Sequence, residues 1–493
     1  MTRLQTDALL RGAVTLALAS ALTLAAGRSD TRLDVAESTT PGAAATSADS
    51  AQLICPGTEL AGVSGVADID TSTQVVADFA PDVALGAAVV SGPGSLAGRD
   101  LSDGAPLGVA TSKRQTAFGV ELTSPFPLRL VASGSLAPGL TASSESLVDT
   151  AVARGLMGVA CGTPAAESWL IGGAEAPGRQ ERILLVNSGA NPVTVDLDVF
   201  GRTGQIAAPA AQGITVPAQG RTTFLLDAVA GSEAAPLVRV RTRGGLVQAL
   251  LNDSWLDGIT PRGVENVGAT AAPALRQVLP AVPGGLAGRV RVAAVGDEPA
   301  VVSVRVLTSK GPVVLPKGSG VATLANGESR DFPFGALTGD ALAIEVTADH
   351  PIVAAALTEV VAKGVRDFAW SPAAPAGAGL VGTAYPVGKG GDDRIRRTLS
   401  LVATGGAARA RVVFVGTSGV VSQRTVALAA DSSAAVSLDG TRAVWVLRSA
   451  GPGELRAGLI SATGEGATRS IAARPLAKSR VSAQDIAVVP LPE

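Results

Sequence analysis

The chain has 493 residues, too many for one hydrophobic core, and a prior of about 100–200 residues per domain predicts roughly three to five domains. Its formal net charge is −2 and charged residues make up 17 % of it, which gives no electrostatic reason to expect nucleic acid or anionic lipid as a partner. A single histidine, His350, excludes any multi-histidine metal site.

The N-terminal residues have the layout of an export segment. Arg3 and Arg11 precede an uncharged run, Gly12–Gly27, that is close to the lower length limit for crossing a bilayer. Residues 1–27 are therefore predicted to be a cleaved signal peptide or an uncleaved anchor with a cytoplasmic N-terminus. Residues 28–52 are polar and rich in small side chains, which predicts a disordered linker. The protein is expected outside the cytoplasm, secreted or held at the membrane only through this segment.

Residues 53–165 are predicted to form a β domain that diverges from those that follow. The chain has only two cysteines, Cys55 and Cys161, and a single pair in an exported protein indicates a disulfide. The bond would close a loop of about 106 residues, for which chain-entropy estimates are about 4–5 kcal/mol. The alternative is two unrelated buried thiols. Ser143–Met157 has helical character without a clean apolar stripe, and we expect a loop with one helical turn there.

The fold prediction depends most on Arg182–Gly201. From position 193 to 199 apolar and polar residues alternate strictly, which is typical of a strand with one buried and one wet face. Asn187-Ser188-Gly189 and Asn191-Pro192 supply turn residues, so two strands joined by a turn are predicted. The buried face would carry Val193, Val195, Leu197 and Val199, and the wet face Thr194, Asp196 and Asp198.

The same pattern returns at Arg289 and at Arg396, with successive copies about 107 residues apart. Segments that begin at Leu237, Leu342 and Ala443 each place a Gly- or Pro-containing turn between two alternating strands, and they are predicted to be β-hairpins. We therefore interpret the chain as a string of repeated β units.

The predicted fold class is all-β, with tandem immunoglobulin-like β-sandwich domains after the N-terminal segment and linker, because the repeat length fits a sandwich of about 100 residues. Pro- and Gly-rich junctions place the repeats at residues 166–272, 273–378 and 379–475, followed by a tail, 476–493. The alternative is a β-propeller, since one unit could also form two four-stranded blades. Each repeat begins with an apolar anchor, Trp169, Leu279 or Tyr385, that is expected to plug the end of its sandwich.

The chain resembles an uncharacterised family of actinobacterial exported or membrane-anchored β-repeat proteins, a domain of unknown function. The repeats also resemble immunoglobulin-like modules of bacterial surface proteins. The resemblance extends to about Pro475 and implies a signal anchor, a polar linker and β-rich repeats; it transfers no functional residue, because the family carries no established activity. It rests on the order of Cys55-Pro56-Gly57, Trp169-Leu170-Ile171-Gly172-Gly173, Leu185-Val186-Asn187-Ser188-Gly189, Arg221 and Arg243-Gly244-Gly245-Leu246-Val247.

Few residues suggest catalysis, and no catalytic, cofactor-binding or metal-binding residue is predicted. His350 falls at a predicted hairpin turn, where a surface position is expected, and a Ser-His-Asp triad would have to use it. Nucleophile-elbow, Walker and dinucleotide-binding loops do not occur in a strand–turn–helix context. Carboxylate pairs could still act in hydrolysis or hold Ca²⁺ in a loop. These pairs are Asp68 and Asp70, Asp196 and Asp198, and Asp392 and Asp393.

Three functions remain open at this stage. The favoured hypothesis is a non-enzymatic extracytoplasmic scaffold or protein-interaction protein of the actinobacterial cell envelope, whose sheet edges could pair with partner strands. Its partner would be an unknown envelope protein or a cell-wall polymer. The second hypothesis is a cell-wall glycan-binding module, and the third is a carboxylate-dependent hydrolase. The candidates for stacking on sugars are Trp169, Trp255, Trp370 and Tyr385.

Overall fold

Antiparallel strands make up most of the chain that the computed structural model describes. The described residues are 48–482 without 58–59, 61–67, 70, 112–117, 124–125, 317–318, 337, 340, 363–364, 378, 388–391, 393 and 465–468. Their helices are single turns: α1 (Asp82–Leu85), α2 (Asp227–Ala230) and two 3₁₀ turns, Gly86–Ala88 and Pro209–Ala211. No helix in this part of the chain is long and apolar enough to cross a membrane. The predicted export segment, most of the predicted linker and residues 483–493 lie outside the described residues.

The first sandwich packs two four-stranded sheets face to face. In chain order its strands are β1 Ser50–Cys55, β2 Thr73–Asp78, β3 Gly94–Asp100, β4 Pro106–Ala110, β5 Phe118–Leu122, β6 Leu128–Gly134, β7 Thr141–Asp149 and β8 Arg154–Ala160. The sheets run in the orders β1-β6-β3-β4 and β5-β2-β7-β8. Their facing sides bury Leu53, Val75, Leu96, Phe118 and Leu130, as the burial of alternate strand residues requires.

The expected helical turn at Ser143–Met157 is wrong, because this stretch forms the paired strands β7 and β8. Ser143, Ser144, Glu145 and Ser146 are all buried, so polarity here does not mark solvent exposure and hides the strand pattern. The predicted disulfide is present: Cys55 at the end of β1 is bonded to Cys161 just after β8, with their Cα atoms 4.5 Å apart.

The second sandwich repeats this plan. Its strands are β9 Glu167–Ile171, β10 Arg179–Asn187, β11 Val193–Gly201, β12 Gly204–Ile206, β13 Ile214–Val216, β14 Gly220–Leu225, β15 Leu237–Arg243, β16 Gln248–Asp257 and β17 Thr260–Gly268. One sheet runs β12-β11-β15-β9 with β13 also on β11, and the other runs β14-β10-β16-β17. Val193, Val195, Leu197 and Val199 are buried as the alternation predicts.

The third sandwich has its two layers joined by one long strand. Its strands are β18 Ala274–Pro283, β19 Ala287–Ala294, β20 Ala300–Thr308, β21 Gly311–Val314, β22 Val321–Leu324, β23 Ser329–Phe334, β24 Ala341–Ala362 and β25 Val365–Pro372. The first part of β24 pairs with β18 and β20, and its later part pairs with β19 and β25. The strand has 22 residues and thus belongs to both layers.

The fourth sandwich completes the series. Its strands are β26 Val381–Ala384, β27 Arg396–Thr404, β28 Ala408–Gly416, β29 Val421–Leu428, β30 Ser432–Ser437, β31 Thr441–Ala450, β32 Glu454–Thr463, β33 Ser470–Pro475 and β34 Ala477–Lys478. The sheets run β29-β28-β31-β26-β34 and β30-β27-β32-β33. The first sandwich, although divergent in sequence, has the same pairing scheme as the other three. The sandwich architecture is confirmed, and the propeller alternative is not seen in the described chain.

The three predicted hairpins are wrong. β15 and β16 lie in different sheets, as do β31 and β32, so each connection crosses from one layer to the other. In the third sandwich His350 lies inside the continuous strand β24 and not at a turn. Alternation fixes which face of a strand is buried but not its hydrogen-bonding partner, and a crossing lets two apolar faces meet across the core.

The sandwiches do not form a string of separate units, because their contacts close into a cycle. The first packs on the second, the second on the third, the third on the fourth, and the fourth on the first. Ile352–Leu357 shows why the sequence misses this: the run is entirely apolar, and all its side chains are buried because both faces of the strand are covered. Apolar clusters at the four interfaces include Leu101 with Val186, Ala355 and Trp370 with the second sandwich, Leu307 with Val402, and Trp445 with Val76.

Candidate functional site at the meeting point of the four sandwiches

One edge strand of each sandwich faces the centre of the cycle. β8 contacts β17, β17 contacts β25, β25 contacts β33, and β33 contacts β8. Glycines on β8 make this approach possible: a Cβ on Gly155 would lie 2.9 Å from the backbone nitrogen of Val264, and one on Gly158 would lie 2.5 Å from Nη1 of Arg474. Glycine within a strand is typical of such close backbone approach.

The Asp367 carboxylate accepts backbone hydrogen bonds from all four sandwiches. The N–H groups of Ile471 and Phe368 donate to its two oxygens at 2.9 Å each. Backbone N–H groups of Leu156 and Val264 donate as well. Burial raises the pKa of Asp367, and the four donors lower it. Burial has the larger effect, and the resulting pKa is about 8.

Glu265 is the second buried acid of this centre. It accepts from the N–H groups of Asn266 at 2.8 Å and Gly158 at 3.3 Å, and its Oε2 has no hydrogen-bond partner among the described residues. Burial raises the pKa of Glu265 well above its usual value, and the nearby Asp367 raises it further. Burial therefore favours the protonated form of Glu265 more in the folded protein than in the unfolded chain.

Two arginines of the fourth sandwich supply the positive charge. Burial lowers the pKa of Arg474, whose Nη2 donates to Oγ of Ser143 at 3.2 Å. Arg397 forms a buried ion pair with Glu145 of the first sandwich and lies 4.7 Å from the centre of the Tyr385 ring. The charge of Arg397, which would be costly alone, is thus paired with that of Glu145 across a sandwich boundary.

A second buried polar group lies between the second and third sandwiches. The indole N–H of Trp370 donates to Asp253 at 2.8 Å, and Arg179 pairs with the same carboxylate at 2.5 Å. The Arg179 guanidinium also lies 5.1 Å from the centre of the Phe368 ring. Burial, together with the charge of Asp253, raises the pKa of Glu181 to about 8. The side-chain contacts of this group stabilise the interface between the second and third sandwiches.

A cavity of about 290 Å³ adjoins the centre and is lined by all four sandwiches. Each sandwich contributes to its wall, for example through Gly162, Gln248, Pro372 and Arg474 in that order. Gln248 is 8 % exposed, and its Oε1 has no hydrogen-bond partner in the described chain. Because most of the wall is apolar, the cavity could hold a small molecule oriented by an amide and a guanidinium.

Three of the four rings proposed for sugar stacking are buried. Trp169 is 4 % exposed, and Trp370 and Tyr385 are even less exposed. Trp255 is half-buried, with its indole N–H donating to the Pro177 carbonyl at 3.2 Å. Trp169 lies within β9 and packs into its own sandwich core, where Phe200 stacks on it. Only Trp255 retains a partly open ring for a flat ligand.

The predicted carboxylate pairs do not converge on one another. The prediction that Asp196 lies on the wet face of its strand is wrong, because this residue is only 4 % exposed. Arg243 pairs with it at 2.9 Å, and the Gly213 N–H donates to it at 2.8 Å. Asp198 pairs with Arg241 at 2.8 Å.

The remaining predicted residues that the structure describes stand apart from the centre. Asp392 pairs with Arg394 at 2.5 Å, Asp68 is exposed, and Asp70 and Asp393 lie outside the described residues. His350 lies 3.5 Å from Glu298. The described residues contain no group of three His, Cys, Asp or Glu side chains placed to hold a metal ion.

Sequence reasoning missed Asp367 and Glu265. Each is a lone acid in a strand that also carries apolar residues, and Gly263 lies two positions before Glu265. An acid beside a glycine inside a strand is the signal that could have indicated a buried, backbone-bound carboxylate at a close approach.

The fold and its centre define a class: a protein of repeated β-sandwiches whose contacts close on themselves around buried charges. The chain belongs to DUF5719, a family of unknown function, which matches residues 109–439. To this extent the resemblance to an uncharacterised domain family is confirmed. No curated protein matches the chain.

Three solved structures show a distant likeness to the chain. A Thermotoga maritima protein, 1070, is 16 % identical over 21 % of this chain and 94 % of its own, with a TM-score of 0.18. A tetra-tandem repeat in the extending region of a large adhesion protein is 13 % identical over 86 % of this chain and 98 % of its own, with a TM-score of 0.10. Trypsin-activated alpha-2-macroglobulin from Escherichia coli is 14 % identical over 86 % of this chain and 32 % of its own, with a TM-score of 0.13. None reaches the overall similarity from which a shared fold follows.

Proposed function

We propose that the protein is a non-enzymatic extracytoplasmic scaffold that mediates protein interactions at the cell envelope. One observation carries the proposal: the acidic and aromatic side chains that the four sandwiches bring together are buried and are used in contacts between the sandwiches. Asp367 and Glu265 bind backbone N–H groups there, and Trp370 and Tyr385 contact buried arginines. Groups used in this way support a structural role.

An extracytoplasmic location is consistent with the disulfide between Cys55 and Cys161, because such bonds persist in oxidising compartments. The closed cycle of contacts favours a scaffold for a further reason. Each sandwich packs on two neighbours, so the outer sheet edges of the four are held at fixed separations. A partner, or several, could then be bound in a defined relative position.

The experiment is site-specific photocrosslinking in intact cells from exposed valines of three sandwiches, Val109, Val301 and Val420. Crosslinks from at least one position to an envelope protein, absent when the crosslinker replaces buried Val195, are expected. The purified protein should in parallel show no hydrolysis of cell-wall polymers.

Two results would overturn the proposal. Turnover of a polymer that is lost in Asp196→Asn, Asp198→Asn or Asp392→Asn would support the hydrolase. Retention of the wild type on isolated cell-wall glycan, with loss in Trp255→Ala, would support the glycan-binding module instead.

A further inference from the structure

The strand at one equivalent sheet edge differs among the four sandwiches. β4 lies beside β3, β12 and β13 beside β11, β21 and β22 beside β20, and β29 beside β28. These strands occupy equivalent outer positions, where a row of unpaired N–H and C=O groups invites another strand. A comparison of these strands shows which sheet edges are protected against pairing with another strand and which are not.

Three of these edges are short or interrupted. β4 has five residues and contains Pro106 and Gly108. The edge of the second sandwich is split into two strands of three residues, and that of the third into two of four, with Pro312 in the first. Short strands and proline are the usual protection of an edge against pairing.

The edge of the fourth sandwich lacks this protection. β29 has eight residues, V-S-Q-R-T-V-A-L, with neither proline nor glycine, and most of them are exposed. It pairs with β28 along its whole length and with no other strand of the described chain. Val421 at its start and Val420 just before it are 45 % and 67 % exposed. An uninterrupted strand of this kind is a template for strand addition.

The hairpin geometry identifies the free backbone groups. The N–H of Gly416 donates to the Val420 carbonyl at 2.8 Å, so this pair faces inward across the hairpin. Inward and outward groups alternate along an antiparallel ladder. The backbone groups of Val421, Gln423, Thr425 and Ala427 therefore point away from β28 and are available to a partner strand.

The charged side chains of β28 and β29 have one sign. β28 and β29 contain Arg409, Arg411 and Arg424 and no acid. None of the three arginines forms an ion pair with another described residue. Arg411 is directly opposite Thr425, on one face of the ladder, and Arg424 projects from the other. A strand added beside β29 would thus lie between cations on both faces.

We propose that β29 pairs with an extended acidic segment of a partner protein, which adds a strand to the fourth sandwich and places carboxylates near Arg411 and Arg424. A second copy of this chain fits less well, because pairing two β29 edges would bring like charges together. The proposal names the partner chemistry for the scaffold function proposed above and rests on that function.

The test is fluorescence anisotropy with a labelled peptide of alternating glutamate and valine, as long as β29. Arg411→Glu with Arg424→Glu should weaken its binding at least about tenfold and confer binding of the matching lysine–valine peptide. Thr425→Pro removes an outward N–H without touching the β28 ladder and should weaken binding by about tenfold. Arg202→Glu, on the exposed surface of the second sandwich, is the matched control and should bind as the wild type does.

The proposal fails if an N-methylated glutamate–valine peptide binds equally well, because that peptide cannot add a strand. It fails if the charge-reversed variant keeps its preference for the acidic peptide. It also fails if the wild type self-associates in sedimentation and Thr425→Pro abolishes this, since the occupant is then a second copy. If only the β29 proposal is wrong, crosslinks from Val109 or Val301 to an envelope protein are still found. If the scaffold function itself is wrong, those crosslinks are absent too.

Discussion

The backbone N–H of Ile471 donates a hydrogen bond to the Asp367 carboxylate at 2.9 Å, and this bond joins the fourth sandwich to the third. The same carboxylate accepts from Leu156 of the first sandwich and Val264 of the second. One side chain thus connects the innermost strands of all four repeats. Four N–H groups that would otherwise be buried without partners are satisfied together.

Replacing Asp367 by alanine should lower the free energy of unfolding by at least about 3 kcal/mol, because each buried donor left unpaired costs about 1–3 kcal/mol. Chemical denaturation followed by tryptophan fluorescence would measure this. The control is Asp257→Asn at the exposed Asp257–Arg262 pair, where a change of about 0–1 kcal/mol is expected. Equal midpoints for both variants would contradict the linking role of Asp367.

Stability should fall as the pH rises from about 4 to about 8. The pKa values of Asp367 and Glu181 are raised to about 8, and that of Glu265 is also raised, while the same groups in the unfolded chain titrate near pH 4. Between these values the folded state binds more protons than the unfolded state, so this stabilisation is fully present below about pH 4 and is lost through about pH 8. The thermal midpoint should be higher at pH 5 than at pH 8, and Glu265→Gln should reduce the difference. A higher midpoint at pH 8 would show that these acids are ionised in the folded protein.

The ion pair between Arg442 and Asp78 joins the fourth sandwich to the first, with 2.9 Å between Nε and Oδ2. Burial raises the pKa of Asp78 in spite of this arginine, so the aspartate depends on its partner to stay charged. Arg442→Met alone should cost about 3–5 kcal/mol of unfolding free energy, because it leaves a buried charge unpaired. The double variant Arg442→Met with Asp78→Asn should recover part of the loss. A double variant no more stable than the single one would mean that the pairing itself is of little importance.

Removal of the disulfide should destabilise the first sandwich. The bond closes a loop with a sequence separation of 106 residues, and chain-entropy estimates for such loops are about 4.7 kcal/mol. Urea denaturation of Cys55→Ala with Cys161→Ala should show a lower midpoint than the oxidised wild type, and reduced wild type should match the double variant. An unchanged midpoint would indicate that the β1–β8 end is held by its other contacts.

The local pattern of the chain predicted its strands well. Val193–Val199 alternates and forms a strand with one face in the core, and the repeats at Arg289 and Arg396 fold on the same plan. The pattern did not predict which strands pair. Two consecutive strands bury the same faces whether they form a hairpin or cross from one sheet to the other. The pattern also did not predict the interfaces: Trp445 and Trp370 are apolar wherever they pack, and both lie between sandwiches.

The candidate site was harder to predict because its residues are far apart in sequence. Glu145, Glu265, Asp367 and Arg474 come from four sandwiches and meet only when the cycle closes. The carboxylates that lie close together in sequence, such as Asp196 and Asp198, instead form separate ion pairs with arginines of β15. Spacing along a chain indicates proximity only within a strand or turn, and this centre depends on contacts between domains.

The closed cycle fixes the copy number of the repeat. In a linear array a unit can be gained or lost at an end, because only one neighbour is affected. Here every sandwich packs on two neighbours and also meets the others at the centre, so a fifth copy would have no place and a missing one would expose Asp367 and the apolar seams beside it. Gene duplication could have built this protein, but once four copies had closed, its later evolution would be confined to substitutions and to changes in surface loops.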